Sequence, residues 1–242
     1  MQIHRRSMLV AAVLLFSTPF VRAQNATDPS GHWEGAIHVP NSEISIQIDL
    51  AKKANGDPAG AFSGVNIAGF PLSDVVFEGT TVRFQLKVND GGAFRGTLSA
   101  DGRSIAGEFT AASGGYVMPF NLARTGDARL ATPTNPEVGK ELEGSWAGTL
   151  DVNGMPMRVT LKMTNQPDGT SIGFVANLDQ GGVEIPITSI TQKASSVTLD
   201  VTVVKGSFAG TLNAAGTELA GTWTQGALTA PLTFQRVPTV GK

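Results

Sequence analysis

The chain has 242 residues, 41% hydrophobic and 16% charged, with 29 glycines and no cysteine. That length suits one large or two ordinary cores, and the composition suits compact sheet structure rather than disorder or coiled coil. A formal charge of −2 leaves no basic field for nucleic acid or anionic lipid, and the missing cysteine removes disulfides and a lipoprotein anchor alike.

The first residues read as an export signal. Arg5 and Arg6 lie in Met1 to Ser7, Met8 to Phe16 is apolar, and Val21-Arg22-Ala23 offers short side chains at the positions a signal peptidase reads. Cleavage near Ala23 is expected, giving a signal peptide over 1–23 and a bacterial periplasmic or secreted protein with no membrane span in its mature form. Arg5-Arg6-Ser7-Met8-Leu9 leaves the general secretory and twin-arginine routes both open.

Downstream, Gly31-His32-Trp33-Glu34-Gly35 opens a strand in which Trp33, Gly35, Ile37 and Val39 alternate with polar or small residues. Ile44, Ile46, Ile48 and Leu50 form the next apolar file, and Val82, Phe84, Leu86 and Val88 a later one. Such alternation belongs to half-buried antiparallel strands. Asn55-Gly56-Asp57, Glu78-Gly79 and Asp101-Gly102 supply the tight reversals between them.

The same text then returns. Gly144-Ser145-Trp146-Ala147-Gly148 repeats the opening strand, Phe208-Ala209-Gly210-Thr211-Leu212 repeats Phe94-Arg95-Gly96-Thr97-Leu98, and the closing strands end on Arg124 and Arg236. About eight strands per copy, with turn signals every ten or so residues, predict an all-β protein of two tandem, small, antiparallel up-and-down barrels. The expected units are 30–125 and 143–238, joined by a linker over 126–142 that carries Pro133, Pro136, Gly126 and Gly139.

Gly-x-Trp in a first strand with an inward arginine in the last resembles lipocalins and related calycin barrels. The resemblance implies that Arg124 packs over Trp33 and Arg236 over Trp146, closing one end of each barrel. Parity agrees, because Met118, Phe120, Leu122 and Arg124 share a face, as do Ala230, Leu232, Phe234 and Arg236. Most of the second copy, through Asp179-Gln180-Gly181, Ile185-Pro186-Ile187 and Gly221-Thr222-Trp223-Thr224-Gln225-Gly226, resembles the β-rich N-terminal region of exported bacterial serine hydrolases of the α/β type. It implies an accessory domain and carries over no catalytic residue. The first copy keeps Phe70-Pro71-Leu72 but has no Asp-Gln-Gly and places Phe109 where the second has Trp223.

Reactive constellations are not visible. The chain has no Ser-x-x-Lys, and its single Gly-x-Ser-x-Gly, Gly169-Thr170-Ser171-Ile172-Gly173, is not followed by the helix that a nucleophile elbow requires. Ser207 reads as a turn-edge serine, and Asp57, Asp101, Asp168 and Asp179 read as turn aspartates. His32 and His38 lie about 20 Å apart along one strand and are expected to face solvent. No catalytic, cofactor or metal residues are therefore expected, and the protein is read as a non-catalytic accessory or interaction module, with another exported protein such as a hydrolase as partner. A carrier of small apolar ligands is the alternative. Either side chains fill each barrel, as Trp146, Leu150, Leu161, Leu199, Phe208 and Trp223 suggest for the second, or a gap admits an apolar molecule.

Overall fold

A computed structural model describes residues 28–65, 67–88 and 91–238; the expected signal segment and the cleavage near Ala23 lie outside the described residues. The first repeat forms β1 (Gly31–Val39), β2 (Ser42–Lys52), β3 (Pro58–Gly64), β4 (Ile67–Pro71), β5 (Ser73–Glu78), β6 (Thr81–Leu86), β7 (Gly92–Leu98), β8 (Ser104–Ala111) and β9 (Val117–Gly126). These strands follow one antiparallel path, β4-β3-β2-β1-β9-β8-β7-β6-β5. First and last strands are neighbours, with Trp33 opposite Arg124.

The path ends on β4 and β5, which are separated only by Leu72. The Leu72 amide donates to Gly60 O on β3 at 2.9 Å, whereas Ser73 already pairs with Gln85 on β6. One bent run therefore leaves β3 and joins β6, so the nine strands make eight staves once β4 and β5 are joined. Asp74, at φ 50°, and a register shift between Ser73 and Val76 mark the bend, as a bulge does when a sheet turns a corner.

The second repeat repeats this plan. After a short β10 (Asn135–Pro136) come β11 (Gly144–Val152), β12 (Met155–Asn165), β13 (Thr170–Asn177), β14 (Ile185–Pro186), β15 (Ser189–Lys193), β16 (Ser196–Val201), β17 (Gly206–Leu212), β18 (Glu218–Gln225) and β19 (Leu228–Arg236). The run from β14 to β15 again changes partner: Ile187 N donates to Gly173 O at 2.8 Å and Thr188 N to Asp200 O at 2.7 Å. Single 3-10 turns, Leu178–Gln180 and Thr202–Val204, follow β13 and β16.

Of the stretch 126–142 read as a linker, much is structural. The Arg129 amide donates to Asp49 Oδ1 on the outer wall of the first barrel. Further on, β10 pairs with β13 and Asn135 Oδ1 accepts from Ile190 N at 2.8 Å, bridging the gap between β13 and β15. Val138 and Leu142 are buried in the second core. The segment is a strap running from one barrel to the other. Only its apolar pair four residues apart hinted at this, because a strap needs no alternation.

Candidate functional site

Each barrel has a closed end and an open one. At the closed end of the first, the Arg124 guanidinium carbon lies 4.4 Å from the Trp33 ring centroid, and at that of the second Arg236 lies 4.3 Å from Trp146. Both indoles are buried. Three carbonyls fix each arginine. Arg124 donates from Nε to Gly102 O at 2.8 Å, from Nη2 to Asp28 O at 2.7 Å and from Nη1 to Ser30 O. Arg236 donates from Nε to Gly216 O at 2.7 Å, from Nη1 to Glu143 O at 2.7 Å and from Nη2 to Glu141 O.

Gly31 and Gly144 explain the glycine of Gly-x-Trp. They sit at φ 159° and 120°, and a Cβ there would stand 2.9 Å from Arg124 Nη1 and 3.1 Å from Arg236 Nη1. A side chain would displace the guanidinium. The tryptophan N–H groups are also satisfied, Trp33 Nε1 donating to Pro29 O at 2.9 Å and Trp146 Nε1 to Leu142 O at 3.0 Å. This end is a structural lid.

Side chains occupy the interiors. Phe94 centres an aromatic cluster in the first barrel, with Phe109, Phe84 and Phe120 at 4.6, 4.8 and 5.3 Å between ring centroids. Trp146, Leu161, Leu199, Phe208 and Trp223 share the second. Met163 is buried with them, whereas Met155 is exposed at the open end.

The open ends meet. Val183, Ile185, Val203 and Val204 of the second barrel pack against the first core, and Ile185 and Val204 also pack against the second. Beside them a cleft of about 290 Å³ is lined by Ile67, Phe70 and Val88 from the first barrel and by these residues from the second, with Lys87, Lys205 and Gln180 on its wall. A hollow of about 110 Å³ shares Ile185, Val204 and Gln225 with that cleft and reaches Leu150, Leu232 and Trp223 inside the second mouth.

The Asp-Gln-Gly motif lies at this seam. Asp179 accepts from Arg158 Nη2 at 2.6 Å and from the Arg158 amide at 2.7 Å, contacts that hold its carboxyl below the usual range. Gly181, at φ 91°, lies against the Lys87 stem, where a Cβ would meet Lys87 Cδ at 2.9 Å. The seam was not legible in either repeat alone, although Val201, Val203 and Val204 extend the apolar file beyond its strand.

The remaining arc of the first mouth is free of the second barrel's packing residues. Val65 is 75% exposed and Tyr116 72%, with Ile44 and Val117 also exposed. They lie at the β3–β4 turn, the start of β2 and the β8–β9 hairpin, positions that the order β3-β2-β1-β9-β8 puts side by side. They mark out an apolar crescent along the rim, Ile44 continuing the inward file of β2 and Val117 on the outer face of β9, alternate to Met118 and Phe120.

His32 departs from expectation. It faces outward, opposite Trp33, yet is only 2% exposed, with Nδ1 2.8 Å from Asp49 Oδ1 and Nε2 3.2 Å from Glu34 Oε1. Alternation assigned the face correctly but could not show that the strap, through Arg129, bonds to the same Asp49 oxygen. His38 is partly exposed beside Glu43 and Asn121. Asp101 and Asp168 accept from the hydroxyls of Ser99 and Thr170 and from the amides of Arg103 and Thr170, and the hydroxyl bonds first and the backbone bonds second lower both carboxyls. Asp57 pairs locally with Asn55. Among the described residues, no cluster of three or more His, Cys, Asp or Glu could hold a metal, and no helix is long and apolar enough to cross a membrane.

No protein-family model matches the chain, and no curated protein matches it in sequence. Solved structures similar to it include a Bacteroides fragilis protein provisionally described as an outer membrane protein, 10% identical, covering 88% of this chain and 99% of that one at TM-score 0.30. Another is a protein of unknown function from the DUF3598 family of Nostoc punctiforme, 12% identical, covering 88% and 98% at TM-score 0.28. Likenesses this distant carry no argument about function.

Proposed function

We propose that the protein is an exported, non-catalytic binding module whose first barrel docks another exported protein through the apolar crescent at its mouth. The crescent carries this reading: Ile44, Val65, Tyr116 and Val117 are large apolar side chains spaced along one rim and left in water, and a group of exposed large apolar side chains on one edge of a fold marks a contact site. Tyrosine suits such a surface because it adds area and a polar tip. The partner we favour is a hydrolase of the α/β type, on the second repeat's resemblance to the accessory regions of such enzymes. A photo-crosslinking amino acid at Tyr116 should trap one defined exported hydrolase, and Val65→Ser should abolish the product. Equal trapping from Thr222, on the exposed outer wall of β18, would refute the docking surface.

A specific observation favours the alternative as a second function. The cleft between the mouths opens into a hollow at Trp223, so a small apolar ligand has a place beside the filled barrels rather than within them.

A further inference from the structure

The cleft has chemistry as well as volume. At about 290 Å³, with the hollow beside it, it approaches the lower bound of about 300 Å³ usual for small-molecule sites. Ile67, Phe70, Val183 and Val203 make much of its wall aliphatic or aromatic, and Lys87 and Lys205 are the two cations on it. Among the described residues no acidic side chain lines the cleft, and Lys87 is paired with Asp74 at 3.1 Å. Lys205 has no ion-pair partner among the described residues.

Lys205 also adopts φ 52° at the end of the 3-10 turn Thr202–Val204. Its stem lines the cleft while the residue stays exposed at the lip, the arrangement in which a long cation covers apolar surface and keeps its charge in water. Gln225 steadies the junction by donating from Nε2 to Val204 O at 3.0 Å while its Oε1 accepts from Trp223 Nε1 at 3.3 Å. Occupancy of the cleft would therefore be felt at Trp223.

We propose that the seam between the two mouths binds one medium-chain aliphatic carboxylate, its tail along the apolar wall and its head held by Lys205 with Lys87 in support. This rests on the ligand-carrier reading and deepens it by naming the ligand's charge and its place. It needs no partner protein at the crescent.

Decanoate and decanol share a chain length and differ in charge, so titrating each into the full chain, followed by calorimetry and tryptophan emission, separates head from tail. Decanoate should bind with one-to-one stoichiometry, and Lys205→Gln should weaken it about ten-fold while leaving decanol unchanged. Lys87→Gln should have a smaller effect. Val203→Trp, which fills the cleft from the side that packs on the first core, should abolish both ligands with an unchanged circular dichroism spectrum; Ile67→Trp does the same from the opposite wall should the first variant fold poorly. Equal binding of decanoate and decanol, or indifference to Lys205→Gln, would overturn the anionic ligand and leave the carrier reading standing. Binding of neither would overturn both. Sedimentation with phosphatidylglycerol vesicles, in place of binding to free decanoate, would replace the proposal with a membrane contact.

Discussion

The two barrels agree at one end and differ at the other. At the closed ends the agreement is atom for atom: Arg124 and Arg236 each cover an indole and each reach the carbonyl of a turn glycine, Gly102 or Gly216, and two carbonyls just ahead of the first strand. At the open ends the first barrel has short reversals and an exposed apolar rim, whereas the second has two 3-10 turns that reach across to its neighbour. A lid must meet a fixed geometric demand in any barrel of this size. A mouth is free to diverge, which is where binding sites accumulate on a stable scaffold.

The equivalence of the lids breaks most readily at the tryptophans. Trp33→Ala and Trp146→Ala each remove a fully buried indole and should each cost about 3–5 kcal/mol in urea unfolding; values differing by more than that range would show that one lid matters and the other is decoration. Arg124→Ala and Arg236→Ala come next, at about 2–3 kcal/mol each, because several charge-assisted bonds and a cation–π contact go together. Lysine at either position should recover less than half, since an ammonium lacks the planar fork that reaches several carbonyls at once.

Asn135→Ala sharpens the contrast between barrels. It leaves the buried Ile190 amide without its acceptor and should cost about 1–2 kcal/mol in the second barrel alone, read as faster amide exchange at Ile190 with the first barrel unchanged. The smallest effect concerns acid. Asp179 sits below its ordinary value of 3.8 because Arg158 bonds to the carboxylate. Its contribution is complete above that value and is lost as the pH falls through the lower folded-state value. Asp179→Asn should therefore flatten the acid limb of the second barrel's stability slightly and leave neutral stability almost unaltered.

Much of the architecture was legible because a barrel repeats a period-two rule. Trp33 and Arg124 could be placed on one inner face by counting, and the doubled order of strands gave two closed sheets. His32 shows the limit: counting puts it outside, yet it is buried, and its partner Asp49 also accepts from a segment nearly a hundred residues later. The seam escaped for a related reason: Val203 continues the period-two file of Val197, Leu199 and Val201, and nothing within its own repeat shows that it leaves the strand to face Ile67 and Phe70 of the other barrel. The three carbonyls that hold each arginine were hidden because a backbone oxygen leaves no mark on a sequence.

The strap has a mechanical consequence. It is anchored on the outer wall of the first barrel at Asp49, crosses beside the seam and is stitched to β13 by the pairing of Asn135 with Ser171. Rotating the barrels apart about the strapped edge stretches none of these bonds, whereas parting them at that edge must peel β10 away. The strapped side is thus the edge about which the barrels could part without breaking these bonds, and any opening would be widest on the side facing away from it, like a shell on its ligament. A molecule leaving the seam would take that unhinged side, and the effort of opening would fall on the valines of the 3-10 turn, each of them replaceable without touching either lid.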